Sequence, residues 1–254
     1  MTLFATELRN AASATEVSRV LGRVEQEALE HPAIQHAWLL EAARGRCSEH
    51  DDPLRRFAHA YHGYVASLPQ LFAEAMFRLA PALQEPWQRR LARELGHLGA
   101  PEAATLRKVG IAQRTVEAIP REALFRRFTA AIGLGDDELA EPVRATLQWR
   151  DRLLAYVHEA RPAEVFGALA FGTELVEAAA HAPVLRGLLE TGSLRREAYV
   201  FFELACLPTP EHDHELRAIA AQLAAQPGGL ADLHAGMQFA LEQRREFLDG
   251  LAGT

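Results

Sequence analysis

No pair of alternating apolar segments joined by a two-residue turn occurs anywhere in this sequence. That absence constrains the fold more than any single residue, because tight hairpins are the local signature of antiparallel sheets. The chain offers instead apolar residues three and four apart, in stretches separated by proline and glycine. Its composition agrees. Ala, Leu, Arg and Glu dominate, all strong helix formers, while Ile is scarce and aromatics are only 7% of residues. Hydrophobic residues at 49% and charged residues at 24% exclude a disordered chain. The expectation is an all-α protein.

The punctuation predicts where the helices run. Ser13-Ala-Thr-Glu16 has capping-box form, and Val17, Val20, Leu21 and Val24 follow on one face until His31-Pro32. A short helix carries Trp38 to Leu40 and stops near Gly45. Asp52-Pro53 is a cap followed by proline at the first helical position. From there Leu54, Phe57, Tyr61, Tyr64, Val65 and Leu68 form a stripe to Pro69, after which helix resumes through Leu79. Further helices are expected at 87–95, after Pro101, after Pro120 to Gly133, from Pro142 through Val157, and at 163–180, 193–206, 212–225 and 230–250. No repeat or Pro/Gly/Ser-rich linker divides the chain, so residues 1–254 read as one domain.

Charge and targeting narrow the role. A net charge of -7 argues against a nucleic-acid partner, since nothing neutralises phosphates in bulk. The first ten residues carry no apolar signal core. The most apolar run, 163–182, is interrupted by Glu164, Glu174 and Glu177, too many charges for a membrane span. Two cysteines, Cys47 and Cys206, make neither a disulfide framework nor a zinc cage. These features predict a cytoplasmic protein with reduced thiols.

Two Glu-x-x-His pairs stand out: Glu94 with His97, and Glu211 with His214. Residues at i and i+3 share a helix face, and di-iron carboxylate bundles present ligands in this way. Such a bundle adds single glutamates from other helices, and Glu174 fits that part. It lies in an apolar stretch with little reason to bury a carboxylate unless it is paired or coordinated; the plainer alternative is a solvated face. His212-Asp213-His214 forms a dense cluster whose acids also suit a helix N-terminus. His59 and His62, three apart, read as pocket-lining or metal-ligating, or as ordinary surface or hydrogen-bonded core histidines. The arginine pairs, Arg89-Arg90 among them, read as solvated, with one or two free to clamp an acidic substrate. No nucleophile elbow, Walker loop or dinucleotide fingerprint is present.

The order of these features resembles the heme-oxygenase-like superfamily, which includes thiaminase II, the pyrroloquinoline-quinone synthase and the heme-oxygenase-like di-iron oxidases. The carrying segments are His31-Pro32 with Trp38-Leu-Leu, Pro53 to Pro69, Glu94-Leu-Gly96, Leu124-Phe-Arg-Arg-Phe to Leu134, Glu174 with Gly187-Leu188, Phe201-Phe202 to His214, and Arg244 to Leu251. The resemblance implies a helical bundle and iron held by Glu94, Glu174, and His212 or His214, with His97 and Glu211 as further candidate ligands. It also marks departures. The histidine expected before Leu124-Phe-Arg-Arg-Phe falls near Arg121, and neither register of the late motif restores its ligands.

These readings lead to the expectation of an oxidoreductase using dioxygen on a small organic molecule, with iron as its cofactor or with none. Tyr61, Tyr64, Phe171 and Phe202 are the expected pocket wall, with His59 and His62 beside them; core packing is the alternative for the aromatics. The competing class is a non-catalytic ligand-binding protein whose metal site has degraded. The resemblance also suggests a homodimer.

Overall fold

A computed structural model describes residues 13–44 and 52–252. Cys47, the first ten residues and the stop near Gly45 lie outside the described residues. Those described form helices joined by turns, with no strand among them. The helices are α1 (Ala14–Glu30), α2 (Ala37–Ala42), α3 (Pro53–Arg78), α4 (Glu85–Glu94), α5 (Ala100–Lys108), α6 (Arg121–Ala131), α7 (Asp136–Leu139), α8 (Arg144–Glu159), α9 (Pro162–Leu169), α10 (Leu175–Thr191), α11 (Arg196–Ala205), α12 (Pro210–Ala224) and α13 (Gly229–Ala252). None is long and apolar enough to cross a membrane.

The caps work as the sequence predicts. The Ser13 hydroxyl accepts from the Glu16 amide while the Glu16 carboxylate accepts from the Ser13 amide, which closes the capping box of α1. The Asp52 carboxylate accepts from the Leu54 amide at 2.7 Å and starts α3 at Pro53. Gly96 and Gly133, with φ of 89° and 81°, leave α4 and α6 in the left-handed region. Two helices run further than the sequence predicts. α3 runs without a break through Pro69, and α10 runs through Pro183 to Thr191 rather than stopping at 180. Packing against neighbouring helices outweighs the hydrogen bond each proline forfeits. The turn Gly192-Ser193-Leu194 is mainly a stop: Gly192 (φ 59°) caps α10, and α11 begins at Arg196.

α3 packs on α8, α4 and α6; α11 on α6 and α10; and α13 runs beneath α8 and α9. One continuous core links them, from Val20 and Leu54 through Trp149 and Phe166 to Leu251. α9 and α10 form a single rod interrupted by a π-helical turn, Ala170–Glu174. That turn lengthens the helix by part of a residue step and shifts the face on which later side chains emerge. The Thr173 hydroxyl donates to the Ala168 carbonyl at 3.1 Å, occupying an acceptor within the disrupted ladder.

The rod and α13 approach so closely that side chains are excluded. A Cβ on Gly236 would strike the Glu164 carbonyl, and one on Gly167 the Leu233 carbonyl. Gly236→Ala should therefore lower the unfolding free energy in urea by about 1–3 kcal/mol, the usual cost of forced overpacking. Gly22, exposed on α1 with open space around it, is the control: Gly22→Ala should raise stability by about 0.5–1 kcal/mol. Equal effects from the two variants would contradict this packing.

Candidate functional site

α4 presents Trp87, Arg90 and Glu94 along one buried face, three and four residues apart. An amphipathic helix ordinarily fills such a stripe with apolar groups, so Arg90 at 2% exposure and Glu94 at 1% need partners. They find each other first: Arg90 Nη1 lies 2.7 Å from Glu94 Oε1. The rod beyond the π turn supplies the rest. Arg90 Nε donates to Glu174 Oε1 at 2.5 Å, and its Nη2 donates to Glu177 Oε2 at 3.3 Å. One guanidinium thus meets three carboxylates.

A second arginine closes the network from α6. Arg121 Nη2 donates to Glu177 Oε1 at 2.5 Å, and Arg121 Nε lies 3.6 Å from Glu94 Oε1. Both guanidinium groups lie over aromatic rings, Arg90 over Phe72 at 5.2 Å and Arg121 over Phe201 at 4.9 Å. From α12, His212 places Nε2 3.4 Å from Glu174 Oε2, without a hydrogen bond.

Two guanidinium groups facing three carboxylates leave one negative charge in excess, and the protonation preferences follow that imbalance. Burial pushes all three carboxyls up. At Glu174 this is outweighed chiefly by Arg90, then by His212 and Arg93, and the group is held below the usual carboxylate range. At Glu177 it is outweighed by Arg121 and Arg90, with the same result. At Glu94 burial prevails over both arginines, and its carboxyl is the one raised. Glu94 is thus the group that takes up a proton most readily, which would leave two cations against two anions.

The network adjoins a cavity of about 290 Å³. Leu106, Val116, Ile119, Leu124, Leu204 and Leu207 supply much of its apolar wall, and Arg93, Arg121 and His212 line it on the network side. Each of these three also carries a buried nitrogen without a hydrogen bond: Arg93 Nε, Arg121 Nε and His212 Nε2. Arg93 lies 3.9 Å from Glu102, and burial followed by the nearby Arg90 charge lowers its pKa. Residues 96–119, between α4 and α6, furnish much of the wall.

The predicted residues divide into those the fold gathers and those it scatters. Glu94, Glu174 and His212 come together. His97 is exposed, because α4 ends at Glu94 and the chain turns at Gly96, so the two members of that Glu-x-x-His pair do not share a helix face. Glu211 and His214 are exposed on the first turn of α12, Glu211 at the edge of the cavity beside His212 and His214 away from it. His59 bonds the Glu141 carbonyl and His62 the Glu122 carboxylate, both away from the large cavity. Tyr61, Tyr64, Phe171 and Phe202 are packed core: Tyr64 stacks on Trp149 at 3.7 Å, and Phe202 meets Phe128 edge-on at 4.9 Å. Cys206 is half-buried, its thiol pushed up to about 11 by burial.

Sequence reasoning missed Arg90, Arg121 and Glu177. Arg90 was expected in solvent with Arg89; only Arg89 is there, paired with Glu85 and Glu215. The overlooked signal was the helical phase of Arg90, three after Trp87 and four before Glu94.

An iron centre does not fit these residues. Arg90 stands between Glu94 and Glu174 and contacts an oxygen of each, the position a bridging metal would take, although Glu94 Oε1 itself accepts no hydrogen bond. Among the described residues no group of three or more His, Cys, Asp or Glu side chains is arranged to hold a metal ion.

Below the network, His181 is 2% exposed, ringed by Tyr61, Phe201 and Phe202, and hydrogen-bonded through Nδ1 to the Glu177 carbonyl at 2.8 Å. Burial pushes its pKa down to about 4. The unfolded chain, with an ordinary histidine near 6.5, therefore gains this proton first as pH falls. Folding stability should drop from about pH 6.5 to about pH 4, by about 3 kcal/mol from this group. Glu174 and Glu177 act in the same sense below the ordinary carboxylate range, while Glu94 opposes them. In urea titrations from pH 7 to pH 4, His181→Phe should lose most of the decline seen in the natural protein. An unchanged decline would contradict a buried neutral imidazole.

No protein-family model and no curated protein matches the sequence; the likeness that exists is structural. A CADD-like protein of unknown function from Nostoc punctiforme PCC 73102 superposes with a TM-score of 0.72 at 15% identity, over 94% of this chain and 98% of that one. A TenA homolog from Pseudomonas syringae pv. tomato DC3000 gives 0.67 at 10% identity, over 96% and 97%. A domain of unknown function with a heme oxygenase-like fold from Shewanella denitrificans OS217 gives 0.64 at 14% identity, over 96% and 94%. With its helices in that arrangement over nearly the full length of each, the chain has the heme-oxygenase-like fold.

Proposed function

We propose that the protein binds a small organic molecule without a metal, in the 290 Å³ cavity beside the ionic network. The observation that carries this reading is the position of Arg90, whose guanidinium supplies the positive charge that Glu94, Glu174 and Glu177 would otherwise draw from a cation. With that role filled, the carboxylates serve to hold Arg90 and Arg121 in place. This favours a binding role over the iron-dependent oxidase expected from the resemblance.

The cavity wall indicates the ligand class. A mostly apolar body suits the leucine and valine side, and a polar or anionic end suits the side carrying Arg93, Arg121 and His212. Arginine suits a carboxylate because its N–H groups match two oxygens at once. The size is near the lower end for ligand pockets, which run from about 300 to 1,000 Å³, so the molecule is small.

Thermal unfolding with benzoate, octanoate and benzylamine tests this. Benzoate or octanoate should raise the midpoint saturably, as a ligand selective for the folded state must, and benzylamine should not. Leu204→Trp, which fills the cavity from α11, should abolish the effect while circular dichroism still reports a helical protein. No saturable response to either carboxylate, or a response that survives Leu204→Trp, would contradict the proposal.

A further inference from the structure

Arg244 on α13 is 5% exposed, far from the rim where arginines normally sit. Among the described residues it makes no hydrogen bond and no ion pair. Its guanidinium carbon lies 5.6 Å from the Trp149 ring centre. Every other deeply buried arginine here has carboxylates in reach: Arg90 has three and Arg121 two. The Arg244 nitrogens are not among the fully enclosed atoms that lack a partner, so they keep some accessible surface with no carboxylate in reach, and a ring face compensates the charge only partly.

Arg244 borders a second, separate space of about 10 Å³, lined also by Phe57, Tyr61, Trp149, His181 and Phe247. It shares no lining residue with the large cavity. Its volume corresponds to about one water-sized group. Tyr61 is 5% exposed and its hydroxyl, like the guanidinium, has no hydrogen-bond partner among the described residues. Two sets of donors, one of them cationic, thus border a space the size of one small group, within aromatic walls. The space has a cation and no carboxylate in its lining, and although His181 Nε2 and the Tyr61 oxygen can accept, the charge there favours an anion.

We propose that Arg244 and Tyr61 form a binding site for one small monovalent anion, a halide or the carboxylate of a small organic acid. The charge and the number of donors set the sign of the ligand, and the space sets its size. The aromatic walls of Phe57, Trp149 and Phe247 exclude a bulky or strongly hydrated ion. The site has no lining residue in common with the Arg90 network, although His181 joins the two through its bond to the Glu177 carbonyl.

The test uses the intact protein with sodium bromide and sodium formate as probes. Crystals soaked in bromide should show an anomalous peak within hydrogen-bond distance of the Arg244 guanidinium. Formate should occupy the same position if a carboxylate is accepted; bromide alone would identify a halide site. In solution, the thermal midpoint of the natural protein should rise saturably with bromide. The midpoint of Arg244→Met should stay flat over the same series, since general salt effects act on both proteins alike. Neither ion at Arg244 in the crystal, or a saturable bromide response equal in Arg244→Met, would overturn the proposal. The crystal soak decides the matter even if Arg244→Met does not fold.

Discussion

The guanidinium of Arg90 holds the interior of this bundle together electrically. Three carboxylates, Glu94, Glu174 and Glu177, lie within 3.3 Å of its nitrogens. Without a cation among them these groups would repel one another or stay protonated. Burying such a cluster is tolerable because most of its charge is paired at short range, although Glu94 Oε1 accepts and Arg121 Nε donates no hydrogen bond, and removing one member of a buried ion set commonly costs about 3–5 kcal/mol. The cluster also ties three elements that are distant in sequence: α4, the rod formed by α9 and α10, and α6 through Arg121. The geometry of the adjoining cavity depends on those ties, because Arg93 lies one turn along α4 from Arg90, and Arg121 is a member of both.

The π-helical turn is the backbone feature that makes this possible. Glu174 ends it and Glu177 follows three residues later, so both carboxylates emerge toward α4 and α6. The same turn brings Gly172 against Ala240 of α13, where a side chain would not fit. Packing on one side of the rod and charge on the other thus meet in one short segment. π turns often occur at functional sites, and here the turn aims two acids at two arginines.

Much of the fold could be read from residue order, because helix boundaries depend on local chemistry. Ser13 with Glu16, Asp52-Pro53, Gly96 and Gly133 all act within a few residues of themselves. The break at Pro69 and the stop at 180 were misread because packing by distant helices decides whether a helix continues through a proline such as Pro69 or Pro183. The site was half legible. Glu174 was conspicuous as an acid in an apolar run, and Glu94 by its place in a motif. Arg90 was not, since an arginine in an Arg-Arg pair looks solvated until its phase relative to Trp87 is counted. The roles of His97 and His214 depended on where α4 ends and which face of α12 turns outward, and both are settled by tertiary packing.

The central claim is that Arg90 is the resident cation of the site. The most direct measurement is the binding of ferrous and manganous ions by calorimetry, comparing the natural protein with Arg90→Met, with folding of each checked by circular dichroism. The natural protein should take up neither ion at the site, and the affinity of Arg90→Met for either should be higher, because three carboxylates and His212 are then left without their guanidinium. Near-stoichiometric uptake by the natural protein, lost on Glu174→Gln, would show that Arg90 yields to a metal and would contradict the claim.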